Sequence, residues 1–519
     1  MLRRREQALL LGAAGAVLVV AALLPLLFLV AELPATTRTV LEVLGTGRPW
    51  ELLLRSTVLA GIVAAAAVAA GVPLALLIAR TNLPFRRMLW GLHLFPLFLP
   101  PFVLALGWFH LLGRTGLLGT EATAQLLFSE AGAIWVLWLT FTPVCTSLVA
   151  LSLLGVDASL EEAARLVASP MLVATRILIP AARPAIVLSA ILVFTLALSE
   201  LAVPMFLRVS VFPAAVFARL GGIDYAPGEA FALALPLLPL ALLLLALERR
   251  FVGPRSFAVA GLRGMTREPI ALGAWRPVAS VAVWLLVLLD LAPLLVLGFR
   301  AATGGGLTTL PRWLGQAPWN SLLSGAVAAT VIAALGFVLG HAAARRIRGA
   351  TGLDALSMLA FVTPAPVLGV GLIAVWNRSW SQVVYGSLAI LVVGFIARYT
   401  VVALRTVSSV VLQSPRDLED AAATAGAGAW RRLGRIVLPL NARGVAAGWL
   451  LAFLFCVRDL ETAVLFYPAG REPLTVRIFT LEANGPPAVV AGLAVAQIAL
   501  TAAVLGLGAL AFSSRRIVR

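Results

Sequence analysis

Twelve long apolar runs restrict what this chain of 519 residues can fold into more than any other feature. A helix needs about 20 apolar residues to cross the hydrocarbon core of a bilayer. Runs of about that length lie near residues 8–30, 56–79, 89–112, 132–154, 184–207, 229–247, 278–299, 321–344, 353–376, 384–407, 444–466 and 486–512. The sequence therefore predicts an all-α integral membrane protein with about 12 transmembrane helices.

The composition fits a lipid environment better than a nucleic-acid-binding role. Apolar residues make up 61% of the chain and charged residues 12%, whereas soluble domains average about 45–50% and about 25%. The formal net charge is +17, but all 40 basic residues are arginines, and they cluster between the apolar runs. Such clusters are typical of orientation signals. We therefore expect a lipid bilayer as partner and no nucleic acid.

The distribution of arginine also predicts the orientation. With both termini in the cytoplasm, 27 arginines lie on the cytoplasmic side, 11 on the other side, and two, Arg398 and Arg458, within spans. The start of the chain resembles a signal peptide, yet the run Ala8–Val30 is about twice as long as a typical signal-peptide core. An uncleaved anchor is favoured, although the orientation alone is also compatible with cleavage.

The chain has few residues with which to build a catalytic or metal site. It contains no lysine, which a phosphate-binding loop of the Walker type requires, so ATP would have to be hydrolysed by another chain. Cys145 and Cys456 lie inside apolar runs, and the three histidines lack the spacing of metal ligands. We expect no enzyme activity, no metal site and no cofactor in this chain.

The two halves of the sequence repeat each other. Three pairs of segments correspond: Arg55–Arg80 with Asn320–Arg345, Leu94–Trp108 with Phe361–Trp376, and Leu196–Leu207 with Leu454–Phe466. Each half holds six spans, an even number, so both copies have the same orientation and form two parallel six-helix repeats. The predicted divisions are residues 1–250, a cytoplasmic linker at 251–277, and residues 278–519.

A loop between the fourth and fifth spans of each half carries the clearest motif. Leu160–Ile186 and Leu418–Gly444 both contain an acidic residue, two alanines, and later a branched residue before proline. Alanine and an acidic first turn favour a helix, and Gly426 favours its end. A generic interfacial helix is the alternative. Two copies at equivalent places favour a docking helix instead.

These loops, near 155–183 and 408–443, resemble the EAA motif of ABC importer permeases. The motif reads E-A-A, three residues, G, nine residues, and I-x-L-P. The second loop matches with Asp for Glu, whereas the first lacks the glycine and is one residue shorter. The residues that this resemblance assigns to ATPase coupling are Glu161, Glu162, Ala163, Ala164, Ile177 and Pro180 in the first loop, and Asp420, Ala421, Ala422, Gly426, Ile436 and Pro439 in the second.

The fused two-half form is similar to ferric iron permeases and to the related thiamine permeases. The resemblance implies a type I importer fold in a bacterial inner membrane and two ABC ATPase subunits, which bind the ATP, on the cytoplasmic face. It also implies a periplasmic solute-binding protein on the opposite face. Ferric iron is the expected substrate, with thiamine, phosphonate or polyamine as alternatives.

Charged residues within the spans are candidates for the transport pathway. Glu200 and Asp459 occupy equivalent places in the fifth and eleventh spans, and Arg458 and Glu461 flank Asp459. We expect these four residues to line the pathway or its outer gate. The equal alternative is a structural ion pair with Arg458, or snorkelling of the charged side chains at the interface.

A secondary transporter of the major facilitator class would also have about 12 spans. The connection after the second span reads RTNLPFRR, however, and lacks the G-x-x-x-D-R signature that this class would show. Prolines at Pro100, Pro101, Pro364 and Pro366 are expected to interrupt helices, either as hinges beside the pathway or as packing kinks.

Overall fold

A computed structural model of the chain describes residues 2–156, 161, 163, 164, 166, 168–221, 226–252 and 269–513. These residues form helices and their connections, with an isolated β-bridge between Thr81 and Ile270. The all-α fold predicted from the apolar runs is confirmed. Most of the predicted linker, residues 253–268, lies outside the described residues.

The described residues contain up to twelve candidate spans, when each bent helix pair is counted once. Eight helices are long and apolar enough to cross a membrane alone: Glu6–Ala31, Gly47–Arg80, Glu130–Leu154, Pro227–Phe251, Gly273–Thr303, Ala317–Ala344, Ala389–Gln413 and Pro487–Phe512. Four bent pairs supply the rest: Arg86–Phe98 with Pro101–Leu112, Pro170–Ala181 with Arg183–Ser199, Ala350–Val362 with Ala365–Trp376, and Ala429–Leu440 with Ala442–Arg458. We number the spans first to twelfth in chain order. The fifth is Arg183–Ser199 and the eleventh Ala442–Arg458.

Shorter helices connect the spans. Those between successive spans on the side away from the two loops include Leu33–Leu44, Glu121–Leu127, Phe212–Gly221, Gly306–Leu314 and Leu474–Glu482. We call the opposite side, which carries the first loop (155–183) and the second loop (408–443), the loop side.

Proline breaks the third and ninth spans at equivalent places. The two parts of the third span meet at 102° and those of the ninth at 106°. Leu99 and Thr363, which precede Pro100 and Pro364, have extended backbones. Proline disfavours helical geometry in the residue before it and cannot donate a backbone hydrogen bond. The predicted interruption of these helices is confirmed.

Each half is built around its second or eighth span, which packs against the fourth and fifth or the tenth and eleventh spans. Small residues allow this close approach. A Cβ added at Gly71 would lie 2.8 Å from the Cβ of Cys145, and one at Gly336 would lie 2.5 Å from the Cβ of Ala403. The same packing geometry therefore recurs in both halves.

The first span of each half crosses to the other half. The seventh span packs on the third, and the first span packs on the ninth. A Cβ at Gly107 would lie 2.3 Å from the carbonyl oxygen of Pro293, and one at Gly371 would lie 2.7 Å from that of Pro25. These two Gly–Pro contacts interlock the halves.

A buried polar contact joins the halves near the first of these crossings. His93 Nδ1 lies 2.5 Å from Asp290 Oδ2, and His93 Nε2 lies 3.1 Å from Thr146 Oγ1. Asp290 belongs to the seventh span, so its partner comes from the other half of the chain. A charge within a membrane is expected to have such a partner.

Candidate functional site

The second loop contains a short helix whose end is fixed by glycine. The helix Asp417–Thr424 holds Asp420, Ala421 and Ala422, and its first turn is acidic, which complements the helix dipole. Gly426 has a φ of +91°. Its N–H donates to the carbonyl of Ala423, and that of Ala427 donates to the carbonyl of Ala422. This is a Schellman motif, which favours glycine at the left-handed position.

A second helix in this loop leads into the membrane. It begins at Ala429, widens into a π-turn over Leu433–Val437 that contains Ile436, and continues through Pro439. The chain bends by 81° before the eleventh span begins at Ala442. The bend therefore lies at Asn441, two residues after the motif's proline, not at the proline itself.

The first loop has the same ending. Pro170–Val173 is helical, a π-turn over Ala174–Leu178 contains Ile177, and the helix Ile179–Ala181 contains Pro180. A bend of 63° then precedes the fifth span. Glu162, and positions 165 and 167 beside the missing glycine, lie outside the described residues. Ala163 is helical and exposed, and Ala164 is helical and packs in a buried cluster with Ala75.

Large apolar side chains are exposed on both loops. Met171 and Trp430, at equivalent positions, are 73% and 67% exposed. Leu166 and Leu418 are exposed as well. Exposure of several large apolar side chains on one segment is a feature of interaction surfaces.

A buried carboxylate precedes each acidic-Ala-Ala sequence and pairs with an arginine of the same half. Glu161 Oε2 lies 2.8 Å from Arg80 Nη2. Glu419 Oε1 lies 2.7 Å from Arg345 Nη2, and Glu419 Oε2 lies 2.8 Å from His341 Nε2. Glu161 therefore points into its own chain and not to the exposed face of the loop.

Glu419 was not singled out from the sequence. The available signal was the repeated Leu-Glu step before each acidic-Ala-Ala, together with the arginine that ends each repeated second-span segment. Burial alone would raise the pKa of the Glu419 carboxyl, but its hydrogen bonds and charge attraction to His341 and Arg345 outweigh burial and hold the pKa below its usual value.

Glu200 and Asp459 directly follow equivalent spans, and each accepts a hydrogen bond from the backbone three residues further along the chain. Each comes directly after the last helical residue of the fifth or eleventh span. Glu200 Oε1 accepts a hydrogen bond of 3.1 Å from the Val203 N–H, and Asp459 Oδ1 accepts one of 2.7 Å from the Thr462 N–H. Both side chains are thus fixed by local backbone geometry.

The structure brings all four predicted pathway residues into one buried cluster. The Glu200 carboxyl lies beside Glu461 and near Arg458. Two residues of the tenth span complete the group. Arg398 Nη1 lies 3.6 Å from Asp459 Oδ2, and the Tyr399 hydroxyl donates a hydrogen bond to the same oxygen. Only Glu200 comes from the first half. We call Glu200, Arg398, Tyr399, Arg458, Asp459 and Glu461 the charged cluster.

A cavity of about 710 Å³ lies between the halves and ends near the charged cluster. The fourth and fifth spans and the tenth and eleventh spans supply much of its wall. It reaches Gly155 and Pro184 on the loop side. At the other end, Phe455 lines the cavity and stacks on Tyr399 with ring centroids 5.6 Å apart.

The charged residues in the cavity wall are ion-paired. Arg405 Nε lies 2.7 Å from Asp354 Oδ1, and Arg405 Nη2 lies 3.2 Å from Glu248 Oε1. Glu248 lies in the last turn of the sixth span, so this group also joins the two halves. Within the described part of the chain, no three His, Cys, Asp or Glu side chains converge as metal ligands.

Comparison with known proteins identifies related transport components. Residues 334–519 match the family described as binding-protein-dependent transport system inner membrane component. A putative ferric transport system permease protein of Haemophilus influenzae is 24% identical over 404 residues, which are 72% of this chain and 63% of the relative. The ferric transport system permease protein of Actinobacillus pleuropneumoniae is 23% identical over 86% of this chain and 69% of its own length.

Two shorter relatives match only part of the chain. A spermidine/putrescine transport system permease protein of Haemophilus influenzae is 29% identical over 38% of this chain. A putative 2-aminoethylphosphonate transport system permease protein of Salmonella paratyphi A is 26% identical over 36%. The chain as a whole spans slightly less than two thirds of the first ferric relative's length.

Proposed function

This chain belongs to the inner-membrane permease family of ABC importers, and we propose that it carries ferric iron across the bacterial inner membrane on ATP hydrolysed by separate subunits. Under this proposal, the two loops dock on two ABC ATPase subunits in the cytoplasm. A periplasmic solute-binding protein delivers the substrate to the opposite face. The bound ATP belongs to the partner subunits.

The paired loops carry this proposal. They lie in equivalent connections and expose Met171 and Trp430 at equivalent positions. Each continues through a π-turn and a bend into a span that lines the central cavity. A movement imposed on both loops by ATPase subunits would therefore reach the walls of the cavity directly.

The cavity supports an inward-facing access state for this structure. It reaches the loop side, and the charged cluster and the aromatic pair Tyr399 and Phe455 lie at its far end. In the proposed cycle, ATP binding brings the loops together, closes the cavity on the loop side and separates the charged cluster. Reversing a 1:99 population of two states takes about 5.5 kcal/mol of differential binding, which two cooperative ATP sites can supply.

Relatives that cover most of the chain favour ferric iron as the substrate. The phosphonate and polyamine relatives match little more than a third of the chain. The wall of the cavity is largely apolar, with Arg405 and Glu248 already paired. Iron ligands would then come from the binding protein, and the permease would supply passage and gating.

An uptake assay tests this function. A strain that lacks the chain, its ATPase and its binding protein would be complemented with all three or with two, and supplied with radiolabelled ferric iron or thiamine. We expect ATP-dependent iron uptake only with all three. Uptake by the chain alone in proteoliposomes, driven by a proton gradient, would instead support a secondary transporter.

A further inference from the structure

We infer that Arg80 with Glu161, and Arg345 with Glu419, are positioning pairs that transmit the movement of each loop to the second or eighth span. The inference deepens the proposed function and depends on it. It assigns Glu161 a place inside the permease, behind the surface that meets the ATPase, and it adds Glu419, Arg345 and Arg80 to the coupling machinery.

The two pairs have the same construction. Each carboxylate stands one residue before the motif's acidic residue, at positions 162 and 420. Arg80 is the last residue of the second span, and Arg345 directly follows the last residue of the eighth. The N–O distances are 2.8 Å and 2.7 Å, and each side chain is at most 10% exposed. Because the pair recurs at equivalent places in both halves, the contact belongs to the architecture that the halves share.

Burial makes these pairs firm connections. An exposed ion pair contributes little because water and salt screen it. A buried pair can be separated only by leaving charge without compensation in a poorly solvated site, which is strongly unfavourable. Arg345 also donates to the Ser414 carbonyl, at the start of the second loop. The loop therefore moves with the end of the span.

The second and eighth spans can carry that movement to the pathway. Each packs on two spans of its half that line the cavity. The helices approach so closely at Gly71 and Gly336 that an added Cβ would clash with the neighbouring helix, and such close packing transmits a displacement from one helix to the next. Each loop thus has two routes to the cavity, through its own bend into the fifth or eleventh span and through the positioning pair into the second or eighth.

The test compares transport with ATP hydrolysis in proteoliposomes that contain the permease, its ATPase and iron-loaded binding protein. The variants are Arg80→Gln and Arg345→Gln, with Arg345→Lys as the conservative variant. The matched control is Arg55→Gln, which removes an exposed ion pair with Glu130 elsewhere on the second span. Assembly with the ATPase is measured by co-purification.

We expect the two glutamine variants to assemble and hydrolyse ATP while transport per ATP falls about tenfold, within the range of typical coupling free energies. Arg345→Lys should partly restore the amount of iron transported per ATP hydrolysed, and Arg55→Gln should leave that amount at the wild-type value. Unchanged transport per ATP in both glutamine variants would overturn the inference. So would a parallel loss of assembly, hydrolysis and transport in Arg345→Lys, since that would mark a purely structural role.

Failure of the proposed function would be visible separately. Wild-type proteoliposomes would then show no ATP-dependent uptake of iron at all. If wild-type protein transports iron and the variants stay coupled, only the assignment of the positioning pairs fails.

Discussion

Glu6 Oε2 accepts a hydrogen bond of 2.7 Å from the backbone N–H of Ala429, so the amino-terminal helix caps a helix of the second loop. The preceding residue, Gly428, has no side chain to do so. In the first loop, the equivalent position is Ser169, whose hydroxyl accepts from the Leu172 N–H at 3.4 Å. The two loops therefore meet the same need with different residues, one local and one distant.

Removal of the distant cap should loosen the second loop alone. Glu6→Ala leaves the Ala429 N–H without its acceptor, and loss of a cap costs about 1 kcal/mol. We expect faster amide hydrogen exchange over Ala429–Arg432 and no change over Pro170–Val173. Glu42→Ala, which removes an exposed carboxylate paired with Arg38, is the control. If Glu6→Ala changed the amide exchange rates of the two loops by the same amount relative to wild type, the assignment would be contradicted.

A bulky residue at Gly426 should uncouple transport while the protein still folds. Its φ of +91° is costly for other residues, by about 1–2 kcal/mol. Gly426→Val should therefore reorient the end of the helix that bears Asp420 and lower iron uptake, with normal expression. Gly434→Ala is the matched control, because a Cβ there meets nothing within 4 Å. Normal uptake by an expressed Gly426→Val protein would refute this.

Amide substitutions should distinguish the roles of Glu200 and Asp459, two of the three carboxylates in the charged cluster. Asp459→Asn weakens the partner of Arg398 and Tyr399, and breaking a buried ion pair costs about 3–5 kcal/mol. Glu200→Gln removes a carboxylate that lies beside Glu461. In detergent, we expect the unfolding temperature to fall strongly for Asp459→Asn and slightly for Glu200→Gln. Reduced iron uptake in both is expected, and unchanged uptake would remove the pathway role.

A side chain at Gly107 should disturb the crossing of the two halves. Its Cβ would lie 2.3 Å from the backbone oxygen of Pro293, which cannot yield as a flexible side chain does. Overpacking of this kind costs about 1–3 kcal/mol. We expect Gly107→Ala to lower the unfolding temperature. Gly91→Ala in the same span, where a Cβ meets nothing within 4 Å, should leave it unchanged.

The Glu419 anchor should weaken in acid. Because its pKa is lowered in the folded protein, its contribution to stability is complete above the ordinary value of 4.5 and is lost as the pH falls through the folded pKa. Limited proteolysis should therefore release the second loop at acidic pH and not near neutrality. Glu419→Gln should remove this dependence. A second loop equally protected across the acidic range in wild type would contradict the expected linkage.

Span number and the bends of the third and ninth spans were readable from the sequence because both are local properties. Run length decides whether a helix can cross the bilayer, and proline decides where it breaks. The equivalence of Glu200 and Asp459 followed from the repeat. The repeat could not predict which polar residues pair with each other, since partners such as His93 and Asp290 come from opposite halves.

Arg398 illustrates the same limit. The sequence placed it only within a span, yet it lies in the charged cluster opposite Asp459. A charge within a span signals that a partner exists but not which one, because the choice depends on how distant helices cross. The role of Glu162 stays a prediction, since it lies outside the described residues.

The close contacts of Pro293 with Gly107 and of Pro25 with Gly371 have a mechanical consequence. The first span of each half packs against a span of the other half. The two halves are therefore not independent rigid bodies. In the proposed cycle, a rotation of one half against the other would pivot near these two contacts, which lie away from the loop side. In a rotation, the displacement of an atom grows with its distance from the pivot. The largest displacement is therefore expected on the loop side, where Met171 and Trp430 lie.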